Sequence, residues 1–222
     1  MIVASFGEAG MFGTVLAIAV AALSAQVAQA PLHFDCTGPV TQTTPAAAIL
    51  TRFGRDARRG DVMGADGRPV RGVILYPDDP ARRLEIAFWD DAQTVVSSVT
   101  ADARATAWTG PLGLHAGSTL AEVIAVNGHN FSLSGFDWHY GGYITSFWNG
   151  KLLKLDGGCA AQIRLGLPAG AKPPKAIVGE RDLNSTLADV RAAGPRIDRL
   201  SIGWPLPAGV KASDRGGETL GF

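Results

Sequence analysis

The chain has 222 residues, and its 20 Lys or Arg residues balance its 20 Asp or Glu residues, so the formal net charge is zero at pH 7. Hydrophobic residues make up 46% of the chain, which excludes a disordered or collagen-like protein and is enough to form a buried core. Because no block of Lys and Arg supplies a cationic surface, nucleic acid is not expected as a partner.

The N-terminal segment predicts export. Residues 13–30 carry no charge and end in the Ala-Gln-Ala of residues 28–30, a pattern that signal peptidase cleaves. The apolar run over residues 15–23 is too short to span a bilayer, which needs about 20 apolar residues. We predict a signal peptide over residues 1–30 and a periplasmic or secreted mature protein without a membrane span. The alternative is that the segment is retained as a membrane anchor.

The two cysteines of the chain, Cys36 and Cys159, predict a disulfide. An exported chain meets an oxidising compartment, where two cysteines have one possible intramolecular pairing. The alternative is a pair of buried free thiols. A zinc site is not favoured, because two cysteines without CxxC spacing or a neighbouring His do not form a tetrahedral cage. No metal or cofactor is predicted.

A helix-start motif recurs along the chain. Residues 118–128 read STLAEVIAVNG, and residues 185–194 read STLADVRAAG. In each copy a Thr and an acidic residue three positions later fit the capping box, in which the hydroxyl and the carboxylate each bind the other residue's backbone N–H. The two predicted pairs are Thr119 with Glu122 and Thr186 with Asp189. We predict a short helix in each copy, ended by Gly128 and Gly194.

A third, weaker copy occupies residues 44–54, with Pro45 as the first helical residue and Gly54 as the terminator. Repeats of this length indicate a supersecondary unit. We predict a single α+β domain over residues 31–222, in which a short helix followed by antiparallel β-hairpins repeats and helices cover one side of the sheet. The predicted modules span about residues 36–110, 111–167 and 178–205, with a loose tail over 206–222.

Alternating or continuous apolar residues after each helix predict strands. The predicted strands are residues 70–76, 83–89, 94–100, 131–140, 143–148, 161–167 and 197–204. The Pro and Asp residues at 77–80 suit a tight turn between the first two. Gly141-Gly142 predicts a two-residue hairpin turn between the fourth and fifth. Three prolines indicate a linker over residues 167–178.

This order of elements is similar to the small modules of the beta-lactamase inhibitory protein and of SmpA/OmlA-type lipoproteins of outer-membrane assembly. Those modules open with a Gly-Met/Ser-Thr-x-x-Glu-Val-x-x-x-x-Gly pattern, which residues 117–123 and Gly128 match. This chain lacks a lipid-anchor cysteine and has His129 where the modules usually have Pro. The chain after residue 30 also resembles a group of exported bacterial proteins. That resemblance implies location and no activity.

The aromatic residues are densest between residues 131 and 148. On a strand, Phe136, Trp138 and Tyr140 would share one face, and Asp137 and His139 the other. One interpretation is an aromatic ladder that faces the core. The other is a recognition surface, because Tyr and Trp are favoured at interface hot spots and stack on sugars. The predicted contact residues are Phe136, Trp138, Tyr140, Tyr143 and Trp148, and the expected partner is another envelope or extracellular protein or a glycan.

Catalysis is the alternative function. Asp137 could orient the imidazole of His139, or both could contribute to a metal site, as in a small exported hydrolase or metal-dependent enzyme. Ser134-Gly135 is a poor substitute for a G-x-S-x-G nucleophile turn. Five further carboxylates lie at turns and strand edges, where solvated charge is ordinary: Asp78, Asp79, Glu85, Asp90 and Asp91. The sequence therefore favours a non-enzymatic binding or scaffold protein.

Overall fold

The computed structural model describes Met1, residues 32–64 and residues 68–213. The described residues from Leu32 onward belong to one compact unit. Apart from Met1, the predicted signal peptide lies outside the described residues, as does the predicted tail beyond residue 213. Within the described part of the chain, no helix has the length and apolar character needed to cross a membrane.

Helices and antiparallel sheets combine in an α+β fold, as the sequence predicts. The helices are α1 (Ala46–Phe53), α2 (Leu120–Asn127) and α3 (Ala188–Ala192). The strands are β1 (Leu32–His33), β2 (Ala57–Met63), β3 (Pro69–Leu75), β4 (Leu84–Phe88), β5 (Val96–Asp102), β6 (Trp108–Thr109), β7 (Ser132–Ser134), β8 (Ile144–Ser146), β9 (Ala160–Gly166), β10 (Asp182–Asn184) and β11 (Arg196–Gly203).

Six strands form the central sheet in the order β2-β3-β4-β5-β11-β9, and each neighbouring pair is antiparallel. A smaller antiparallel sheet has the order β10-β7-β8, and β1 pairs with β6 in parallel. The central sheet combines strands from all three of the predicted modules. The repetition of one module and a helical cover on one side of the sheet remain predictions.

The predicted hairpin between residues 70–76 and 83–89 is confirmed. β3 and β4 pair antiparallel, with Leu75 opposite Leu84. The sequence does not predict the neighbouring strand β2, which reads ARRGDVM. This strand lies at the edge of the sheet and is mostly exposed, so burial does not impose an apolar alternation on it.

The main hydrophobic core lies against one face of the central sheet. Val73, Ile86 and Leu200 from that face belong to one buried cluster together with Ile49 of α1 and Val123 of α2. The opposite face carries a small apolar cluster and many polar side chains; its apolar members are Val62, Val70, Ile74 and Ala87. Burial of the first face supplies the main driving force for folding. The second face is less buried and can therefore carry polar and charged side chains.

The predicted disulfide between Cys36 and Cys159 is confirmed. The two Cα atoms are 5.6 Å apart, within the usual range for a bridge, and 123 residues separate the cysteines in sequence. Both residues belong to the main core. The bridge therefore joins the segment after β1 to the segment that leads into β9.

The capping box predicted at the start of α2 is confirmed. The Glu122 N–H donates to the Thr119 hydroxyl at 3.2 Å, and the Thr119 N–H donates to the Glu122 carboxylate at 2.6 Å. These hydrogen bonds hold the pKa of Glu122 below its ordinary value. Gly128 ends the helix in the left-handed conformation, as predicted.

The capping box predicted at Thr186 is wrong. The helix α3 begins two residues later, and its N-cap residue, Leu187, makes no side-chain hydrogen bond to it. The Ser185 hydroxyl instead accepts a hydrogen bond from the Phe131 N–H at 3.0 Å, and the Thr186 N–H donates to the Asn184 side chain at 2.8 Å. Ser185, which the motif assigns to a helix start, therefore extends the contact of β10 with the segment before β7 instead.

The first helix also begins one residue later than predicted. Pro45 has an extended backbone with ψ of 153° and is the N-cap of α1 rather than its first helical residue. Gly54 ends the helix as predicted, and its N–H donates to the Leu50 carbonyl.

Candidate functional site

Residues 131–148 form a short hairpin with a long connecting loop. β7 ends at Ser134 and β8 begins at Ile144, so the two long strands and the two-residue turn predicted at Gly141-Gly142 are wrong. The chain leaves the hairpin because the Gly135 N–H donates to the Arg181 carbonyl and the Phe136 N–H donates to the Ile177 carbonyl, both at 2.8 Å. We call residues 135–143 the aromatic loop.

The aromatic loop is fixed against β9 at Gly142. The Leu165 N–H donates to the Gly142 carbonyl at 2.9 Å, and Tyr143 pairs with Arg164 in an isolated β-bridge. A Cβ on Gly142 would overlap the carbonyl of Leu165, so only glycine permits this close approach. The loop and the edge of the central sheet therefore form one continuous surface.

The predicted contact residues differ in exposure. Phe136 is 3% exposed and belongs to the main core, whereas Tyr140 and Trp148 are 42% and 41% exposed. Trp138 and Tyr143 are half-buried. The prediction that Phe136, Trp138 and Tyr140 share one strand face is wrong, because the loop is not a strand and Asp137 has a left-handed φ of 59°.

The indole of Trp138 is held in a defined position. Its Nε1–H donates to the Gly135 carbonyl at 2.9 Å, and its ring meets that of Tyr140 edge-to-face with the centroids 5.6 Å apart. Trp148 lies at another position: its Nε1–H donates to the Ser132 hydroxyl at 2.9 Å. Trp138 thus offers a partly exposed ring whose orientation is set before any partner binds.

Trp138 lines a cleft between the aromatic loop and the turn that follows β9. The cleft has a volume of about 360 Å³, and its lining includes Phe136 from the loop, Arg164 from β9, Leu167 from the turn and Asp198 from β11. We call it the tryptophan cleft. Three separate segments of the chain meet there, residues 136–141, residues 164–171 and Asp198, which is typical of a binding site assembled by the fold.

An ion pair between Arg164 and Asp198 supplies polar groups to the tryptophan cleft. The Nε of Arg164 donates to one carboxylate oxygen at 2.7 Å, and Nη2 donates to the other at 2.9 Å. The Asp198 carboxylate thereby raises the pKa of Arg164 above its ordinary value. Such two-point pairing fixes both side chains more firmly than a single contact does.

A β-bulge places Asp198 in the site. The register between β9 and β11 shifts between Ile197 and Arg199, which leaves Asp198 as the extra residue. Sequence reasoning misses both Arg164 and Asp198, because they are 34 residues apart and meet only through this strand pairing. No local motif could have indicated the pair.

The residues of the catalytic alternative are not brought together around a pocket. Asp137 is exposed and lines the tryptophan cleft, whereas His139 is exposed, contacts the ring of Tyr140 and is not part of the cleft lining. Over residues 32–64 and 68–213, no hydrogen bond or ion pair joins Asp137 to His139. In that same part of the chain, no group of three or more His, Cys, Asp or Glu residues could hold a metal ion.

Most of the other candidate carboxylates have local structural contacts. Asp79 accepts a hydrogen bond from the Ala81 N–H, and Glu85 forms an ion pair with Arg83 at 2.8 Å. Asp90 accepts hydrogen bonds from Thr94 and Val95 in the turn between β4 and β5. The remaining two are surface residues: Asp78 lies 3.9 Å from Arg58, and Asp91 is exposed.

A second, smaller cleft of about 90 Å³ lies on the central sheet. Its lining includes Arg83, Glu85, Thr100, Asp102 and Arg199. Glu85 is paired with Arg83, and Asp102 is paired with Arg104 at 2.8 Å. It carries no aromatic side chain, so the tryptophan cleft is the better candidate site.

Comparisons of the chain with family models, with curated proteins and with solved structures found no match. The resemblance to helix-plus-hairpin modules and to exported bacterial proteins therefore remains a prediction.

Proposed function

We infer that the protein is an exported, non-enzymatic binding protein whose contact surface is the tryptophan cleft together with the aromatic loop. The observation that carries this inference is Trp138, a half-buried ring with its indole N–H already satisfied, which lines a cleft beside the Arg164–Asp198 pair. Trp, Tyr and Arg dominate the binding energy of known interfaces. A ring that is already fixed loses little conformational entropy when a partner binds.

Export is supported by two independent features. The first is the apolar N-terminal segment that ends in Ala-Gln-Ala, and the second is the disulfide between Cys36 and Cys159. Structural disulfides persist in oxidising compartments and are rare in the cytosol. A periplasmic or secreted location fits both.

The geometry supports binding better than catalysis. Acid–base chemistry by Asp137 and His139 would need both side chains within reach of one substrate. Asp137 lines the tryptophan cleft and His139 does not. A contact surface requires only that its anchors be accessible and fixed, as Trp138 is.

A capture experiment with two tryptophan variants tests this function. The full-length protein is immobilised and exposed to the proteins and polysaccharides of the cell envelope of its source. We expect the wild type and Trp148→Ala to retain the same partner, and Trp138→Ala to lose it. Trp148 is the matched control because it is a more exposed tryptophan of the same hairpin that does not line the cleft. Equal capture by all three proteins would exclude the cleft as the contact surface.

A further inference from the structure

We propose that the tryptophan cleft binds a sugar ring of a neutral glycan; this proposal rests on the binding function proposed above and names its ligand. The cleft combines three properties: a charge balance that disfavours anions, closely spaced donors and acceptors, and a fixed aromatic ring. Each property follows from residues that line it, and together they match the chemistry of a polyhydroxylated ring with an apolar face.

The charges in the cleft disfavour an anionic ligand. Its charged lining residues are Arg164, Asp198 and Asp137. The guanidinium is already neutralised by Asp198, at 2.7 and 2.9 Å, and Asp137 adds a second carboxylate. A phosphate, sulfate or uronate group would therefore meet an excess of negative charge. A neutral ligand meets no such repulsion.

The polar groups match hydroxyl chemistry. A guanidinium has five N–H donors; in Arg164 two of them bind Asp198 and the Tyr143 side chain lies beside the group, while each carboxylate can accept several hydrogen bonds. A hydroxyl both donates and accepts. One hydroxyl of a sugar can thus accept a hydrogen bond from Arg164 while its neighbour donates one to a carboxylate. A ligand with only donors, or with only acceptors, cannot bind both groups.

The remaining lining is suited to the C–H face of a sugar ring. The lining of the cleft is mostly polar, and Trp138, Leu167 and Pro168 are among the residues that can contact the C–H face of a sugar ring there. The hydrogen bond from Trp138 Nε1 to the Gly135 carbonyl holds the indole in place. The volume of about 360 Å³ is at the lower end for ligand pockets, which fits one or two sugar rings better than a folded partner.

Calorimetric titration of the full-length protein tests the ligand class. The probes are maltotriose, cellotriose and tri-N-acetylchitotriose, with trigalacturonate as the acidic control. We expect at least one neutral trisaccharide to bind with a dissociation constant near or below about 1 mM, and trigalacturonate to bind at least about tenfold more weakly. Trp138→Ala and Asp198→Asn should each weaken the binding at least about tenfold, and Trp148→Ala should leave it unchanged.

A second measurement does not depend on the stability of a variant. In the wild type, the indole N–H resonance of Trp138 should shift when the bound trisaccharide is added, while that of Trp148 stays in place. Absence of binding by all three neutral probes at about 10 mM would overturn the proposal. Binding that is unaffected by Trp138→Ala and Asp198→Asn, or stronger binding of trigalacturonate, would overturn it as well.

The outcome also separates this proposal from the function on which it rests. If no neutral glycan binds but capture of an envelope protein still requires Trp138, the glycan proposal falls and the binding function stands. If capture does not depend on Trp138 either, both fall.

Discussion

The carboxylate of Asp198 occupies the space that a side chain at Gly166 would need. A Cβ on Gly166 would lie 2.5 Å from Oδ2 of Asp198 and 3.0 Å from its Cβ. Gly166 is the last residue of β9, and the bulge in β11 turns Asp198 towards it. Because Gly166 has no side chain, Asp198 has room to form its ion pair with Arg164 at the tryptophan cleft.

Gly166→Ala should disturb both the fold and the cleft. The added methyl group must push Asp198 away from Arg164, and overpacking of this kind costs about 1–3 kcal/mol of unfolding free energy. A shift of the denaturant midpoint measures the loss. Gly203→Ala is the control, because its nearest contact, at 2.8 Å, is the end of the flexible Gln162 side chain, which can rotate away. Equal losses for the two variants would contradict the role assigned to Gly166.

Loss of the disulfide should destabilise the protein strongly. The bridge between Cys36 and Cys159 closes a loop with a sequence separation of 123 residues, which the chain-entropy model values at about 4–5 kcal/mol as an upper figure. Cys36→Ser should lower the melting temperature, and Cys159→Ser should have the same effect because either change removes the bridge. Mass analysis without reductant should detect no free thiol in the wild type. Two titratable thiols in the native protein would refute the pairing.

The two copies of the STLA motif provide an internal comparison of helix capping. Thr119→Ala removes the acceptor of the Glu122 N–H and should cost about 1 kcal/mol, the ordinary loss for an N-cap. Thr186→Ala should cost much less, because the Thr186 hydroxyl does not cap α3. Denaturant unfolding of both variants gives the comparison. A larger loss for Thr186→Ala would mean that the second copy caps its helix in solution.

This pair of motifs shows where sequence reasoning succeeds and where it stops. At Thr119 the start of β11 also approaches, because the Ile197 N–H donates to the Ser118 carbonyl and the Leu120 N–H donates to the Pro195 carbonyl, but these bonds do not use the N–H groups of Thr119 and Glu122 that form the capping box. At Thr186 the same residues lie beside a strand, and the contact of Ser185 with Phe131 takes precedence over local preference. A local pattern predicts a helix start only where no distant segment competes for the same backbone groups.

The candidate site is predictable in location but not in composition. The density of aromatic residues indicates the segment, and Trp138 belongs to the cleft as well as to the predicted contact residues. The exposure of each ring is not predictable, because the chain leaves strand geometry at Gly135 and the alternation of faces ends there. The contact between Arg164 and Asp198 depends on the register of β9 with β11 and on the bulge in β11. Neither feature can be predicted from one sequence.

The Asp90 carboxylate should make a pH-dependent contribution to stability. Burial raises its pKa, but hydrogen bonds from the Val95 N–H at 2.8 Å and from Thr94 outweigh burial and hold the pKa below its ordinary value. A carboxylate with a lowered pKa in the folded state stabilises the protein above its unfolded pKa, and this contribution is lost as the pH falls through the folded pKa.

Asp90→Asn tests this contribution. The wild type should be more stable than the variant at pH 7, and the difference should shrink as the pH falls below the ordinary Asp pKa and through the lowered pKa of the folded state. Urea unfolding of both proteins at pH 7 and at successively lower pH values measures this difference in stability. Asp91→Asn, at the exposed neighbouring residue, is the matched control for the loss of one carboxylate in this turn. A difference for Asp90→Asn that persists unchanged at low pH would show that the charge is not its cause.

Two aromatic residues of the same loop should respond differently to truncation. Phe136 is 3% exposed and packs in the main core, so Phe136→Ala should cost about 3–5 kcal/mol through lost burial and the cavity that remains. Trp138 is half-buried and lines the cleft, so Trp138→Ala should cost about 1–2 kcal/mol, as an ordinary substitution does.

Denaturant midpoints and partner capture measured on the same samples separate a structural ring from a contact ring. Trp138→Ala should remain folded at room temperature and lose capture, because the ring is an anchor of the interface. Phe136→Ala should lose stability first, and its capture should fall only in proportion to the fraction of unfolded protein. A stability loss for Trp138→Ala as large as that for Phe136→Ala would assign Trp138 to the core and remove the principal anchor of the proposed binding surface.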